Sequence, residues 1–160
     1  MTFITRRYRF SASHRLHSPE LSAVENANVY GKCNNPFGHG HDYVLEVTVS
    51  GEVNPETGLI VPIGDLDRFV GEKVLELFSS RNINLDVPQF STSVPTTENI
   101  VLVISELLQQ AWTGYLGHTG ARLRRINLQE TERNGFEVLL GTYNSPEVIE
   151  QRIESVMVNA

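Results

Sequence analysis

Apolar and polar residues alternate twice in the first third of the chain. Over about residues 3 to 16 the two-residue period puts Tyr8, Phe10, Ala12, His14 and Leu16 on one face of a strand. Over about residues 38 to 51 it does the same for His39, His41, Tyr43, Leu45, Val47 and Val49. Between these strands, Ser22 and Glu25 have capping-box spacing and predict a short helix. Asn54-Pro55-Glu56-Thr57-Gly58 reads as a turn, with Leu59-Ile60-Val61 as a returning strand.

The period then becomes helical. Asp65 predicts an N-cap, and Leu66, Phe69, Val70, Val74, Leu77 and Phe78 form an apolar stripe. An irregular stretch from Ser79 to Pro95 precedes a second helix that starts at Thr96 or Thr97. Its buried face is Ile100, Val103, Ile104, Leu107 and Leu108. A hairpin follows, with Ile126, Leu128 and Glu130 on one strand and Phe136 to Leu140 on the other. Asn134-Gly135 predicts a type I′ turn between them. Ser145-Pro146 opens a terminal helix in which Ile149, Ile153 and Val156 share a face. Hairpin-connected strands with two long helices define an α+β class built on an antiparallel sheet.

Length and charge narrow the picture. The 160 residues suit one domain. A formal net charge of -6 argues against nucleic acid and anionic membranes as partners, although it leaves room for a local basic pocket. No apolar run has the length of a membrane span, and the N-terminus lacks the apolar segment of a secretion signal. Cys33 is the single cysteine, so no internal disulfide forms; this fits a reducing, cytoplasmic compartment.

Three histidines fall on the apolar faces of the first two strands. His39 and His41 flank one glycine, so both side chains leave the same face, roughly 6.5 to 7 Å apart along the strand. Gly40 permits close approach of another backbone. If the two strands pair as a long hairpin, His14 supplies a third nitrogen. Three neutral imidazoles with an open fourth position are a catalytic zinc arrangement. His17 has the wrong parity and His118 lies in a Gly-rich loop, so both read as ordinary hydrogen-bonded histidines. Cys33 lies in a loop that runs into the second strand. A cation, and Lys32 beside it, would favour its thiolate. The thiol could serve as a proton acceptor, a fourth zinc ligand or an inert buried group.

The segments Phe10 to Leu16, Gly31 to Pro36, Gly38 to His41, Pro95 to Asn99 and Glu130-Thr131 together resemble the 6-pyruvoyltetrahydropterin synthase family, which includes the related 6-carboxytetrahydropterin synthases. The likeness spans about residues 8 to 141, and the five residues between Cys33 and His39 match the pyruvoyl branch. It implies a tunnelling fold: a four-stranded antiparallel sheet with two helices on one face. Trimers close the sheets into a β-barrel, and two trimers stack into a homohexamer with active sites between subunits. Residues 1–160 would then form a single domain of this fold, with a C-terminal extension from about residue 142.

The resemblance further implies a zinc-dependent lyase that converts 7,8-dihydroneopterin triphosphate to 6-pyruvoyltetrahydropterin and triphosphate, within tetrahydrobiopterin biosynthesis. His14, His39 and His41 would hold Zn2+, and Cys33 would act as general base. Glu130 would grip the guanidine-like edge of the pterin, with Thr96, Thr97 and Glu98 flanking the ring. One departure stands out. The family's Asp-His pair, which completes a proton relay with the cysteine, is matched here by Ser79-Ser80. Hydroxyls near their normal acidity do not replace an imidazole at neutral pH. The alternatives are therefore a 6-carboxytetrahydropterin synthase-like or side-chain-cleaving enzyme, or a non-catalytic pterin binder.

Overall fold

Strand β1 (Thr2–His14) and strand β2 (His39–Gly51) pair antiparallel along their whole length, from Thr2 opposite Gly51 to His14 opposite His39. The computed structural model describes residues 1–141. Helix α1 (Ala23–Tyr30) connects the two strands, and its Ser22–Glu25 capping box forms as the sequence predicts. Helix α2 (Ile63–Val70) runs on through a π turn (Gly71–Leu75) and a last helical turn (Glu76–Phe78). Strand β3 (Arg81–Asn82), helix α3 (Ile83–Asp86) and a 3-10 turn (Pro88–Phe90) occupy the stretch that reads as irregular. Helix α4 (Thr97–Leu116), strand β4 (Arg122–Gln129) and strand β5 (Gly135–Leu139) complete the order.

The sheet order is β3-β1-β2-β4-β5. Four antiparallel strands form its body, and β3 adds a two-residue parallel edge at Ala12 and Ser13. The α+β class holds. The sheet is five-stranded and mixed where four antiparallel strands are expected, because Arg81 and Asn82 extend far enough to meet β1.

One face of the sheet carries the core. Tyr43, Leu45, Val47 and Val49 of β2 are fully buried, as are Leu66, Phe69, Val70, Val74 and Phe78 from the first long helix. Ile100, Ile104 and Leu108 of α4 join them. Each such side chain contributes about 1.5–3 kcal/mol relative to exposure, so the apolar face locks the strand register. Phe10 stacks on Tyr43 with ring centroids 5.1 Å apart, just below the histidine end of the hairpin. The opposite face is polar. There Arg7 pairs with Glu46 at 2.6 Å, while Arg125 reaches Glu46 and Glu137 at 3.4 and 3.6 Å.

Three local expectations are corrected. Leu59-Ile60-Val61 is no strand: both edges of β2 are already taken by β1 and β4, and the segment passes directly into α2. That helix starts after Pro62 rather than at Asp65; Asp65 N and Leu66 N both donate to Pro62 O at 3.1 Å. Asp65 sits in the first turn, where its charge suits the helix dipole. Asn134-Gly135 makes no type I′ turn. Neither residue has the positive φ that turn needs, and Glu130 N instead donates to Asn134 O across a five-residue connection. The terminal helix expected after Ser145, and the extension from about residue 142, lie outside the described residues.

Candidate metal centre

The paired ends of β1 and β2 bring His14, His39 and His41 together on the helix-covered face. One ring nitrogen from each lies within 4.8 Å of the other two. Pairing places His14 opposite His39 and Ala12 opposite His41, so two neighbouring strands deliver three rings to one spot. His14 is 1% exposed, and the His41 side chain is 19% exposed, so the cluster opens on one side only.

Hydrogen bonding fixes which nitrogens face inward. His14 Nδ1 lies 2.8 Å from the carbonyl oxygen of Pro95, an acceptor that requires the proton on Nδ1. His14 Nε2 is therefore a bare lone pair, and it faces His39 Nε2 at 3.2 Å. Two nitrogens bound at about 2.0–2.1 Å to a tetrahedral ion stand roughly 3.3–3.4 Å apart, so the spacing fits. The carbonyl partner behind a ligating histidine is the outer-shell contact that metal sites use. Burial, then the neighbouring imidazoles, push His14 below its ordinary value. Burial and His41 do the same to His39. Both shifts favour the neutral, metal-binding form. His39 Nδ1 is buried without a hydrogen-bond partner.

Glu130 lies just beyond the end of β4, with its side chain 16% exposed and turned toward the histidines. Its Oε1 is 3.7 Å from His14 Nε2 and 3.6 Å from His41 Nε2. Thr97 Oγ1 donates to that same oxygen at 2.6 Å. Thr97 is buried in the first turn of α4, whereas Thr96 spends its hydroxyl capping the helix at Asn99 N. Glu98 is exposed on the outer side of that turn. The structure thus brings Thr97 and Glu130 to the histidines, keeps Thr96 as a cap and leaves Glu98 facing solvent.

Cys33 sits in a 3-10 turn (Gly31–Asn34) that is tied to the end of β1. Leu16 N donates to Cys33 O at 2.9 Å, Asn34 Nδ2 to Leu16 O at 2.7 Å and Arg15 Nε to Asn34 O at 3.2 Å. The thiol is not part of the nitrogen cluster, so this arrangement does not use it as a fourth ligand. Burial pushes it up, and the Glu130 carboxylate adds to that. Lys32 does not lower it, contrary to expectation; among protein groups the neutral thiol is favoured.

Two glycines exchange roles. A Cβ on Gly38, at φ 69°, would lie 2.7 Å from His14 O, whereas one on Gly40 would meet Ala12 O at an ordinary 3.6 Å. The close approach expected of Gly40 belongs to Gly38. His17 accepts from Asn34 Nδ2 at 3.0 Å and His118 is exposed; neither joins the cluster. Sequence patterning does not single out Pro95 or Tyr43. Tyr43 packs on His41 with centroids 5.6 Å apart and brings its hydroxyl within 3.5 Å of His14 Nδ1. Its position on the histidine face of β2 was the available signal.

Fold and site together define an α+β protein with a half-buried three-histidine centre beside a carboxylate. The chain belongs to the 6-pyruvoyl tetrahydropterin synthase family, whose model matches residues 3–139. It is 46% identical over 131 residues to the 6-pyruvoyl tetrahydrobiopterin synthase of Homo sapiens, covering 82% of this chain and 86% of that protein. Identity to the Poecilia reticulata protein of the same name is 42% over 132 residues, with 82% and 86% covered. The structure of Caenorhabditis elegans 6-pyruvoyl tetrahydropterin synthase matches with a TM-score of 0.78 and 36% identity, covering 88% of this chain and 96% of that one.

Proposed function

We propose that this protein is a metal-dependent pterin lyase that converts 7,8-dihydroneopterin triphosphate to 6-pyruvoyltetrahydropterin with release of triphosphate, a step of tetrahydrobiopterin biosynthesis. The observation that carries this reading is the convergence of three imidazole rings beside a carboxylate already held by a threonine. His14, His39 and His41 would hold the ion, and their all-nitrogen set suits Zn2+. A bound zinc would supply Lewis-acid polarisation of the substrate's side-chain oxygens.

The chain's own groups do the rest. Glu130 accepts the paired N–H donors of the pterin edge, and Thr97 holds its carboxylate in orientation. Of the three residues at the start of α4, Thr97 flanks the ring, while Thr96 caps the helix and Glu98 faces solvent. Cys33 would accept the carbon-bound proton as a thiolate, a form that the positive charge of a bound zinc would favour against burial and the Glu130 carboxylate. In this reading residues 1–160 are one tunnelling-fold domain in the cytoplasm, extended from about residue 142. Its sheets close into a barrel in a trimer or hexamer. Among the described residues no helix is long and apolar enough to cross a membrane.

A second reading, altered or absent catalysis, is favoured by Ser79-Ser80. Ser80 adopts a left-handed backbone at φ 59° and donates its N–H to Ser11 O at 2.7 Å. It shares a cavity of about 380 Å3 with His41 and Asp42, so the carboxylate lining that cavity comes from β2. The test is incubation of the zinc-loaded full chain with dihydroneopterin triphosphate. The lyase reading expects triphosphate and the pyruvoyl product, both lost in Cys33→Ala at unchanged zinc content. A shortened side chain with free aldehyde, or tight pterin binding without product, selects the second reading.

A further inference from the structure

The polar face of the sheet, opposite the histidines, carries a cavity of about 280 Å3 lined by Phe3, Thr5, Thr48, Arg124, Arg125 and Leu139. A bulge builds it. The β2–β4 register runs from Thr48 opposite Arg125 to Val49 opposite Leu123, which leaves Arg124 as the extra residue. A bulge suspends the alternation of faces and re-aims a side chain. Here it brings two consecutive arginines to one cavity.

Their surroundings differ. Arg125 reaches the carboxylates of Glu46 and Glu137, yet its Nε is buried with no partner. Arg124 is only 9% exposed and forms no ion pair among the described residues. Its Nε donates to Ser50 Oγ at 2.6 Å, and among the described residues one terminal nitrogen has only Met1 Sδ, at 4.0 Å. The backbone closes tightly over the other, where a Cβ on Gly141 would come within 2.5 Å. A guanidinium keeps its proton at any working pH, and a buried charge without a counter-ion is strongly unfavourable. Beside it, Thr5 and Thr48 share a hydroxyl hydrogen bond of 2.9 Å and can turn a donor outward.

We propose that Arg124 and Arg125 form a site for a small oxyanion, a phosphate or carboxylate group, on the polar face of the sheet. The planar fork of Arg124 suits two oxygens of one group. That group has two possible sources: a free anion, or Glu147, Glu150 or Glu154, which follow Gly141 closely in sequence. This site is independent of the pterin reading, because its residues and those of the metal centre lie on opposite faces.

The test is calorimetric titration of the full chain with inorganic phosphate at fixed ionic strength. One phosphate per chain is expected, with about tenfold or greater weakening in Arg124→Gln. Should Arg124→Gln fail to fold, Arg124→Lys keeps a charge without the fork, and a weakening of roughly threefold is expected. Phosphate affinity that rises in the combined Glu147→Gln, Glu150→Gln and Glu154→Gln variant identifies the chain's own carboxylates as the resident group. Unchanged affinity there identifies a free anion. Equal binding by wild type and the Arg124 variants, or no binding by wild type and the triple variant alike, would each overturn the proposal.

Discussion

Thr97 Oγ1 donates to Glu130 Oε1 at 2.6 Å, tying the first turn of α4 to the end of β4 beside the histidines. Both partners are shielded, so the carboxylate is held in one orientation before any ligand arrives. If that carboxylate grips the pterin, Glu130→Gln raises KM or Kd for the pterin about 10- to 100-fold, the worth of a charged hydrogen bond. Thr97→Val, which frees the carboxylate without removing it, costs about fivefold. Zinc content stays at the wild-type level in both. Zinc analysis alongside pterin titration checks this, and loss of zinc in Glu130→Gln would reassign the carboxylate to the ion.

Acid should disassemble the centre. Burial holds His14 and His39 below the ordinary imidazole value of 6.5. The unfolded chain therefore binds protons first as pH falls, and their contribution to stability is complete above 6.5 and lost below it. Protons also compete directly with the ion for the same lone pairs. Zinc retention and thermal stability are expected to be flat from neutral pH upward and to decline together below about 6.5. Dialysis followed by metal analysis at each pH reads the first, and thermal melts read the second.

Gly38 and Gly40 make a matched pair. Gly38→Ala forces a side chain into a left-handed conformation and against His14 O, so it should cost about 2 kcal/mol or more. Gly40→Ala meets only ordinary contact and should cost less than about 1 kcal/mol. Denaturant titration of the two variants is decisive, because equal losses would contradict the assignment of the tight approach to Gly38.

The Ser79-Ser80 departure has a constructive test. Histidine tolerates the left-handed region better than most side chains, so Ser80→His fits the backbone already present at φ 59°. Combined with Ser79→Asp, it should raise turnover about tenfold or more, the lower range of what a positioned acid–base group supplies. No gain would mean that the proton path here does not run through these positions.

Much of this was legible in the residues alone. Period-two patterning placed His14, His39 and His41 on inward faces, and full-length pairing of β1 with β2 then required them to meet. The Ser22–Glu25 box and the Thr96 cap were readable because such contacts are local in sequence. What stayed hidden depends on distant partners. The short edge strand at Arg81 exists only because β1 offers it a free edge, and the carbonyl behind His14 comes from Pro95, 81 residues away. Leu59-Ile60-Val61 has strand composition, but both edges of β2, the strand it would return along, are already taken. Asn134-Gly135 has turn composition, but the longer connection through Glu130 and Asn134 overrides it.

Everything functional here rests on His14, His39 and His41 sharing one ion. Zinc titration of the full chain, followed by exhaustive dialysis and metal analysis, measures this directly. The account predicts about one zinc per chain, and less than a tenth of that in each of His14→Ala, His39→Ala and His41→Ala. A wild-type protein that leaves dialysis free of zinc, or that keeps its zinc when any one of the three rings is removed, would contradict it.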